Sequence, residues 1–267
     1  MRIGCQIGLW GYDRGKVSFA AVIDAVGRLG IAGLEVFDTD IAAYYGKADE
    51  LKARLEAAGV ELTGAYFAMD DAADPERESA VLARAAEACD FLRAVGARFI
   101  ILNGGAKKQG RAFAAADYQR LAGVMNQIGK KARSKGIQAV IHPHIGYMVE
   151  LPEEVDSLVA GGIDQELVGL CPHAGHQLHA GADPYVIYGK YGTWTKYLHI
   201  GDAGKDNKGA VVGEGVLDQR RLMRPLLEVG FDGWVIIEGG QQGVSPEDYA
   251  SRSREYLRQT WPQIKWE

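Results

Sequence analysis

Three observations predict a single (β/α)8 barrel over residues 1–267. Eight short apolar runs rich in β-branched and aromatic residues alternate with longer segments of helical period. The runs begin 28 to 39 residues apart, and a glycine marks the helix-to-strand junction before five of them. That spacing is one strand–loop–helix–loop unit. Eight units consume the chain and leave nothing for a second domain.

The first run, 2–10, starts at once after Met1, without the charged leader, long apolar stretch or cleavage site of a signal peptide. The second, 33–38, follows Leu29-Gly30-Ile31; the third, 61–69, follows Gly59-Val60; the fourth, 98–103, follows Gly96-Ala97. The fifth, 137–144, follows Gly136, and 167–173 and 195–200 are the sixth and seventh. The eighth, 233–238, follows Gly230-Phe231. A glycine at these junctions suits a left-handed helix cap, where a Cβ would clash. The runs are apolar on both faces, as in a parallel sheet covered by helices. The rival is an open doubly wound sheet, which carries a glycine-rich phosphate loop after its first strand. Trp10-Gly11-Tyr12-Asp13-Arg14-Gly15 does not match that fingerprint, and Asn103-Gly104-Gly105-Ala106-Lys107-Lys108 reads as a flexible basic loop.

Composition narrows the function classes. Apolar residues make up 47% and charged ones 24%, enough for a large core. With 30 basic and 35 acidic residues the net charge is −5, and no basic segment offers a nucleic-acid footprint. No apolar stretch is long enough to span a bilayer, so no membrane partner is expected. Cys5, Cys89 and Cys171 are widely spaced in apolar stretches and read as reduced thiols of a cytoplasmic protein.

All six histidines lie between His142 and His199. His142 and His144 end the fifth run, His173 the sixth and His199 the seventh, while His176 and His179 sit in the loop after the sixth. Glu238 holds the matching place on the eighth. In a barrel these strand ends are neighbours around the C-terminal mouth, where imidazole and carboxylate groups can hold a divalent metal.

At these residues the chain resembles the xylose isomerase-like barrel superfamily of sugar isomerases, epimerases and dehydratases, and is most similar to inosose dehydratase-like members. The resemblance runs nearly the whole chain. It is carried by Ile141-His142-Pro143-His144-Ile145-Gly146 with Glu150, Gly169-Leu170-Cys171-Pro172-His173-Ala174-Gly175-His176 and Gly181-Ala182-Asp183-Pro184. Leu198-His199-Ile200-Gly201-Asp202, Gly213-Glu214-Gly215 and Gly233-Trp234-Val235-Ile236-Ile237-Glu238 complete it. By position, the family's Glu-Asp-His-Glu metal ligands become His142, His173, His199 and Glu238. The two histidines that replace carboxylates change the formal charge of a divalent site from −1 to +1. This favours Mn, Co, Zn, Ni or Fe over Mg and removes one of two opposed bases used in epimerisation.

The resemblance implies a small sugar or cyclitol substrate. A base would take the proton beside its carbonyl, giving a metal-stabilised enediolate that isomerises or expels a β-hydroxyl. Isomerase or epimerase chemistry is the leading expectation, with dehydration as the alternative. Glu238, His144, Glu150 and His176 are the proton-transfer candidates. For His144 the other reading is support of His142, and for Glu150 it is capping the helix that begins near Pro152. Trp10, Lys107, His176 and Asp202 are the substrate-contact candidates. Lys107 and Lys108 also read as a solvated pair, Trp10 as core, Asp202 as a turn residue and His179 as a solvated loop residue. Glu35, if it points into the barrel, needs a buried partner and reads as structural support. A repair endonuclease of the same fold would want a basic groove, and a non-catalytic subunit or sensor is the alternative of another class. Exposed barrel helices and the aromatic tail with Trp261 and Trp266 make a homodimer an expectation.

Overall fold

In a computed structural model that describes residues 1–11, 17–72 and 74–266, the eight runs form eight parallel strands of one barrel. Tyr12 to Gly15 of the first loop lie outside the described residues. β1 (Arg2–Gln6), β2 (Gly33–Phe37), β3 (Glu61–Phe67), β4 (Phe99–Leu102), β5 (Gln138–Ile141) and β6 (Val168–Leu170) pair in sequence order. β7 (Leu198–Ile200) follows, then a short antiparallel hairpin of β8 (Asp202–Ala203) and β9 (Gly209–Ala210), and last β10 (Trp234–Ile237). β10 pairs with both β1 and β7. The remaining seam, between β6 and β7, is joined by a parallel bridge from Leu170 to Thr195. There Lys196 N donates to Leu170 O at 3.0 Å and His199 N to Pro172 O at 3.2 Å.

Helices α1 (Phe19–Arg28), α2 (Asp38–Ala42), α3 (Ala48–Ala58), α4 (Glu78–Val95), α5 (Ala115–Ser134) and α6 (Pro152–Ala160) cover the first five strands. α7 (Ala174–His179), α8 (Val186–Tyr191), α9 (Gln219–Glu228) and α10 (Pro246–Thr260) cover the rest. Their starts follow side-chain caps: Ser18, Asp218 and Ser245 accept from Ala21 N, Arg221 N and Asp248 N at 3.0–3.2 Å. The five junction glycines, Gly30, Gly59, Gly96, Gly136 and Gly230, all have positive φ, between 62° and 94°. α5 shows how the outer layer packs. Tyr118, Leu121, Ala122, Met125, Ile128 and Ala132 recur at helical spacing and are buried against the strands. Burial of each large one stabilises by about 1.5–3 kcal/mol.

Inside the barrel, Ile101, Val140, Cys171, Tyr197, Trp234 and Ile236 form a second, smaller core. Trp234 fits because Gly33 faces it, where a Cβ would stand 2.5 Å from the indole.

Two expectations change. The first strand stops at Gln6, because Ile7–Trp10 wind into a 3-10 turn whose first free N–H, that of Gly8, is capped by the Gln6 side chain. The loop after β4 is not loose: Lys108 N donates to Gly146 O, Met148 N to Ala106 O and Val149 N to Gly104 O at 2.8–3.0 Å, zipping it to the loop after β5. The aromatic tail packs on its own barrel, with Trp261 buried, Trp266 partly buried and Trp266 Nε1 donating to Trp261 O at 3.2 Å. The three cysteines are buried free thiols, and no described helix is long and apolar enough to cross a membrane.

Candidate metal centre and active site

Strand periodicity delivers four side chains to one place. His142, His173, His199 and Glu238 each lie two residues beyond an inner-core residue (Val140, Cys171, Tyr197 and Ile236), so all four follow the inward direction. Glu35, two residues beyond the inward Gly33, joins them from β2. His142, His199 and Glu35 are fully buried.

Carboxylate and imidazole atoms then meet closely. Glu238 Oε2 is 2.6 Å from His199 Nδ1, 3.8 Å from His173 Nε2 and 3.9 Å from His142 Nε2. Its other oxygen is 3.9 Å from His176 Nε2. Yet Glu238 Oε2, His142 Nε2, His173 Nε2, His176 Nε2 and His199 Nδ1 are all buried without a hydrogen-bond partner. The His199–Glu238 contact is therefore close but not aligned as a hydrogen bond. Five orphaned polar atoms in so small a volume would be costly in a site with nothing to bind.

The opposite ring nitrogens are mostly engaged. His142 Nδ1 donates to Cys171 O at 2.9 Å, and His144 Nδ1 to Ile145 O at 2.8 Å. A carbonyl only accepts, so each ring presents an Nε2 lone pair. His199 Nε2 is 2.7 Å from Glu35 Oε2. His173 differs: its Nδ1 accepts from His176 N at 3.1 Å, which leaves the ring proton on Nε2.

Burial holds His142 and His176 well below the usual histidine range and lowers His173 to about 4. Burial also opposes a charged His199, yet its neighbours Cys171, Glu35 and Glu238 raise it well above. At neutral pH the two carboxylates carry that effect, because burial pushes the Cys171 thiol up and keeps it protonated. Burial opposes ionisation of Glu238 as well, but neighbouring His199 holds it well below the carboxylate range. For Glu35 burial wins, and its pKa is raised.

Above this floor opens a cleft of about 350 Å³, lined among others by His144, His173, His176, Asp202 and Glu238. Ligand atoms of His142, His144, His176 and Glu238 lie within 4.8 Å of one another, as do those of His142, Cys171 and His199. Soft-to-borderline nitrogens with one carboxylate, in orphaned buried positions, fit a divalent transition metal.

Other expected residues stand elsewhere. Trp10 is buried outside the cleft lining, its indole donating to Glu247 at 2.9 Å. Lys107 is also outside the lining, 3.6 Å from Asp70. Glu150 is paired with Lys108 at 3.0 Å, and the cap of α6 belongs to Glu154, which accepts from Glu150 N and Leu151 N. Asp202 lines the cleft, but its carboxylate accepts four backbone N–H groups, from Ala203, Gly213, Gly215 and Leu217, at 2.8–3.2 Å. Sequence reasoning missed the cleft walls Gln6, Phe37, Tyr66 and Tyr147, and took His179, another lining residue, for a solvated one. Alternation along β3 alone was enough to flag Tyr66, two residues beyond the inward Gly64.

Comparison with known proteins agrees with this fold. An inosose dehydratase of Lacticaseibacillus casei is 28% identical over 278 residues, covering 92% of this chain and 90% of the relative. Among solved structures, an IOLI protein with a bound zinc atom matches with a TM-score of 0.82 at 13% identity, over 99% of both chains. A xylose isomerase-like TIM barrel protein from Mycobacterium smegmatis in complex with magnesium matches with a TM-score of 0.80 at 19% identity, over 98% of this chain and 97% of the other. The model of the xylose isomerase-like TIM barrel family matches residues 23–260, and the chain belongs to that family.

Proposed function

We propose that the protein is a metal-dependent dehydratase of a keto-cyclitol or keto sugar. The observation that carries this reading is the convergence of orphaned, buried ligand atoms of His142, His173 and His199 on the Glu238 carboxylate, which with His173 lines an open cleft. The similarity to inosose dehydratases over nearly the full length of both chains supports the substrate class.

Those four side chains would hold one divalent ion. Three neutral imidazoles and one carboxylate leave it a formal charge of +1, which favours Zn, Co, Mn, Ni or Fe over Mg. Bound there, the ion supplies Lewis acidity to a carbonyl oxygen of the substrate. His144, with its Nδ1 proton committed to Ile145 O and its ring at the cleft wall, offers an Nε2 lone pair to the C–H beside that carbonyl. The electron pair left on carbon expels the β-hydroxyl, and the imidazolium of His144 returns its proton to the departing oxygen, releasing water. His176, whose ring centroid is 4.0 Å from that of His144, orients a substrate hydroxyl. Glu150 has no part in this scheme, because Lys108 neutralises it away from the cleft lining. Isomerisation shares the first step; the proton then returns to the former carbonyl carbon, while the hydroxyl proton of the adjacent carbon moves to the former carbonyl oxygen and leaves the new carbonyl. Epimerisation is disfavoured, because His142 and His173 stand where the family pattern has carboxylates, and one of two opposed bases is thereby removed.

The test is incubation of zinc- or cobalt-loaded protein with keto-cyclitols and keto sugars in deuterated water, followed by mass spectrometry and NMR. Loss of water from one of them supports the reading. Deuterium incorporation without loss of water favours isomerisation, and neither change in any substrate contradicts both.

A further inference from the structure

We infer that Glu35 is a positioning residue, which fixes His199 as an Nδ1 ligand of the metal centre; the inference rests on the metal site proposed above. Glu35 Oε2 and His199 Nε2 are 2.7 Å apart, 164 residues distant in sequence, and both side chains are fully buried. A carboxylate only accepts, so the proton between them sits on Nε2 in the ligating form. The lone pair that remains is on Nδ1, the atom 2.6 Å from Glu238 Oε2. Had the ring chosen the other tautomer, its lone pair would face Glu35 and the metal floor would lose a ligand.

The local fold aims Glu35 at this task. The β2–β3 ladder runs from Leu34 opposite Leu62 to Glu35 opposite Gly64, so Thr63 is an extra residue in β3. Such a bulge bends and re-aims its strand, and is common beside active sites. Here the Thr63 hydroxyl bonds the Tyr197 hydroxyl at 2.6 Å, tying the bulge to the strand that carries His199, two residues further on. Glu35 Oε1 meanwhile is buried without a hydrogen-bond partner. A pure core contact would be better served by an apolar side chain, whereas orientation of a ligand needs this acceptor.

The experiment compares the wild type with Glu35→Ala and Glu35→Gln. Zinc affinity is measured by chelator competition, folding by circular dichroism, and the exchangeable imidazole N–H of His199 by paramagnetic NMR of the cobalt-substituted protein. Glu35→Ala should stay folded, bind zinc roughly 10- to 100-fold more weakly and lose the protected N–H signal. Glu35→Gln, whose amide oxygen still accepts from Nε2, should recover most of the affinity and keep the signal. A folded Glu35→Ala with wild-type affinity would overturn the inference. If Glu35→Ala does not fold, a folded Glu35→Gln that binds cobalt without the signal overturns it equally. A wild type that takes up neither zinc nor cobalt would instead overturn the metal site on which the inference depends.

Discussion

His173 Nδ1 accepts the backbone N–H of His176 at 3.1 Å, so the side chain that reaches Glu238 with its far nitrogen also starts helix α7 with its near one. The two tasks compete. Ligation through Nε2 moves the ring proton to Nδ1 and takes the acceptor from His176 N. His173→Asp resolves the conflict, since an aspartate caps well and leaves an anionic oxygen for the ion. We expect this variant to keep its stability and to bind magnesium at least about tenfold more tightly, a gain of about 1.4 kcal/mol. His173→Ala should lose metal and about 1 kcal/mol of stability. Metal titrations and thermal melts check both.

Metal uptake should release a proton. His199 lies between two carboxylates that raise its pKa, so a proton competes with the ion for its Nδ1. Ligation through Nδ1 displaces that proton, whereas His142 and His173, held low by burial, are already neutral. The sign follows: raising the pH through the neutral range strengthens binding by about tenfold per unit, until His199 deprotonates by itself. Calorimetry of zinc binding in buffers of different ionisation enthalpy should count about one proton per ion. A count of zero would contradict the assignment.

Two glycine substitutions should act in opposite directions. A Cβ on Gly201 would stand 2.7 Å from Glu238 O and 2.8 Å from His173 Nε2. Gly201→Ala therefore pushes two ligands apart, and we expect a roughly 100-fold loss of activity with about 1–3 kcal/mol of destabilisation. Gly123 lies inside α5 with nothing within 4 Å of its added Cβ. Gly123→Ala should raise stability by about 0.5–1 kcal/mol and leave the activity alone.

Lys107→Ala should leave the KM for any substrate unchanged, because Lys107 is exposed, stands 3.6 Å from Asp70 and does not line the cleft. Trp10→Phe removes the indole hydrogen bond to Glu247 and should cost about 0.5–1.5 kcal/mol of stability with no change in KM. Steady-state kinetics beside denaturant melts separate these effects.

Most of the fold was legible because its signals are local. A strand needs only an apolar run, and a left-handed cap such as Gly96 or Gly136 needs only a glycine at the junction. The meeting of His142, His173, His199 and Glu238 was legible for a related reason: a period of two, counted from the inner core, sets their common direction. What stayed hidden depends on contacts distant in sequence. Glu150 and Glu154 are both carboxylates near the start of α6, and only the position inside the first turn gives the cap to Glu154. Phe37 and Tyr147 reach the cleft from separate strand ends and loops, whose approach no local pattern encodes. The turn at Ile7–Trp10 was hidden by its composition, since an apolar run reads as strand until Gln6 is seen to cap Gly8.

The most direct measurement is the metal content of the purified protein, wild type beside Glu238→Ala, after incubation with manganese, cobalt or zinc. The account predicts one divalent ion per chain in the wild type and none held by a still-folded Glu238→Ala. A wild type that retains no metal under any of these conditions, or a folded variant that retains it fully, would contradict it.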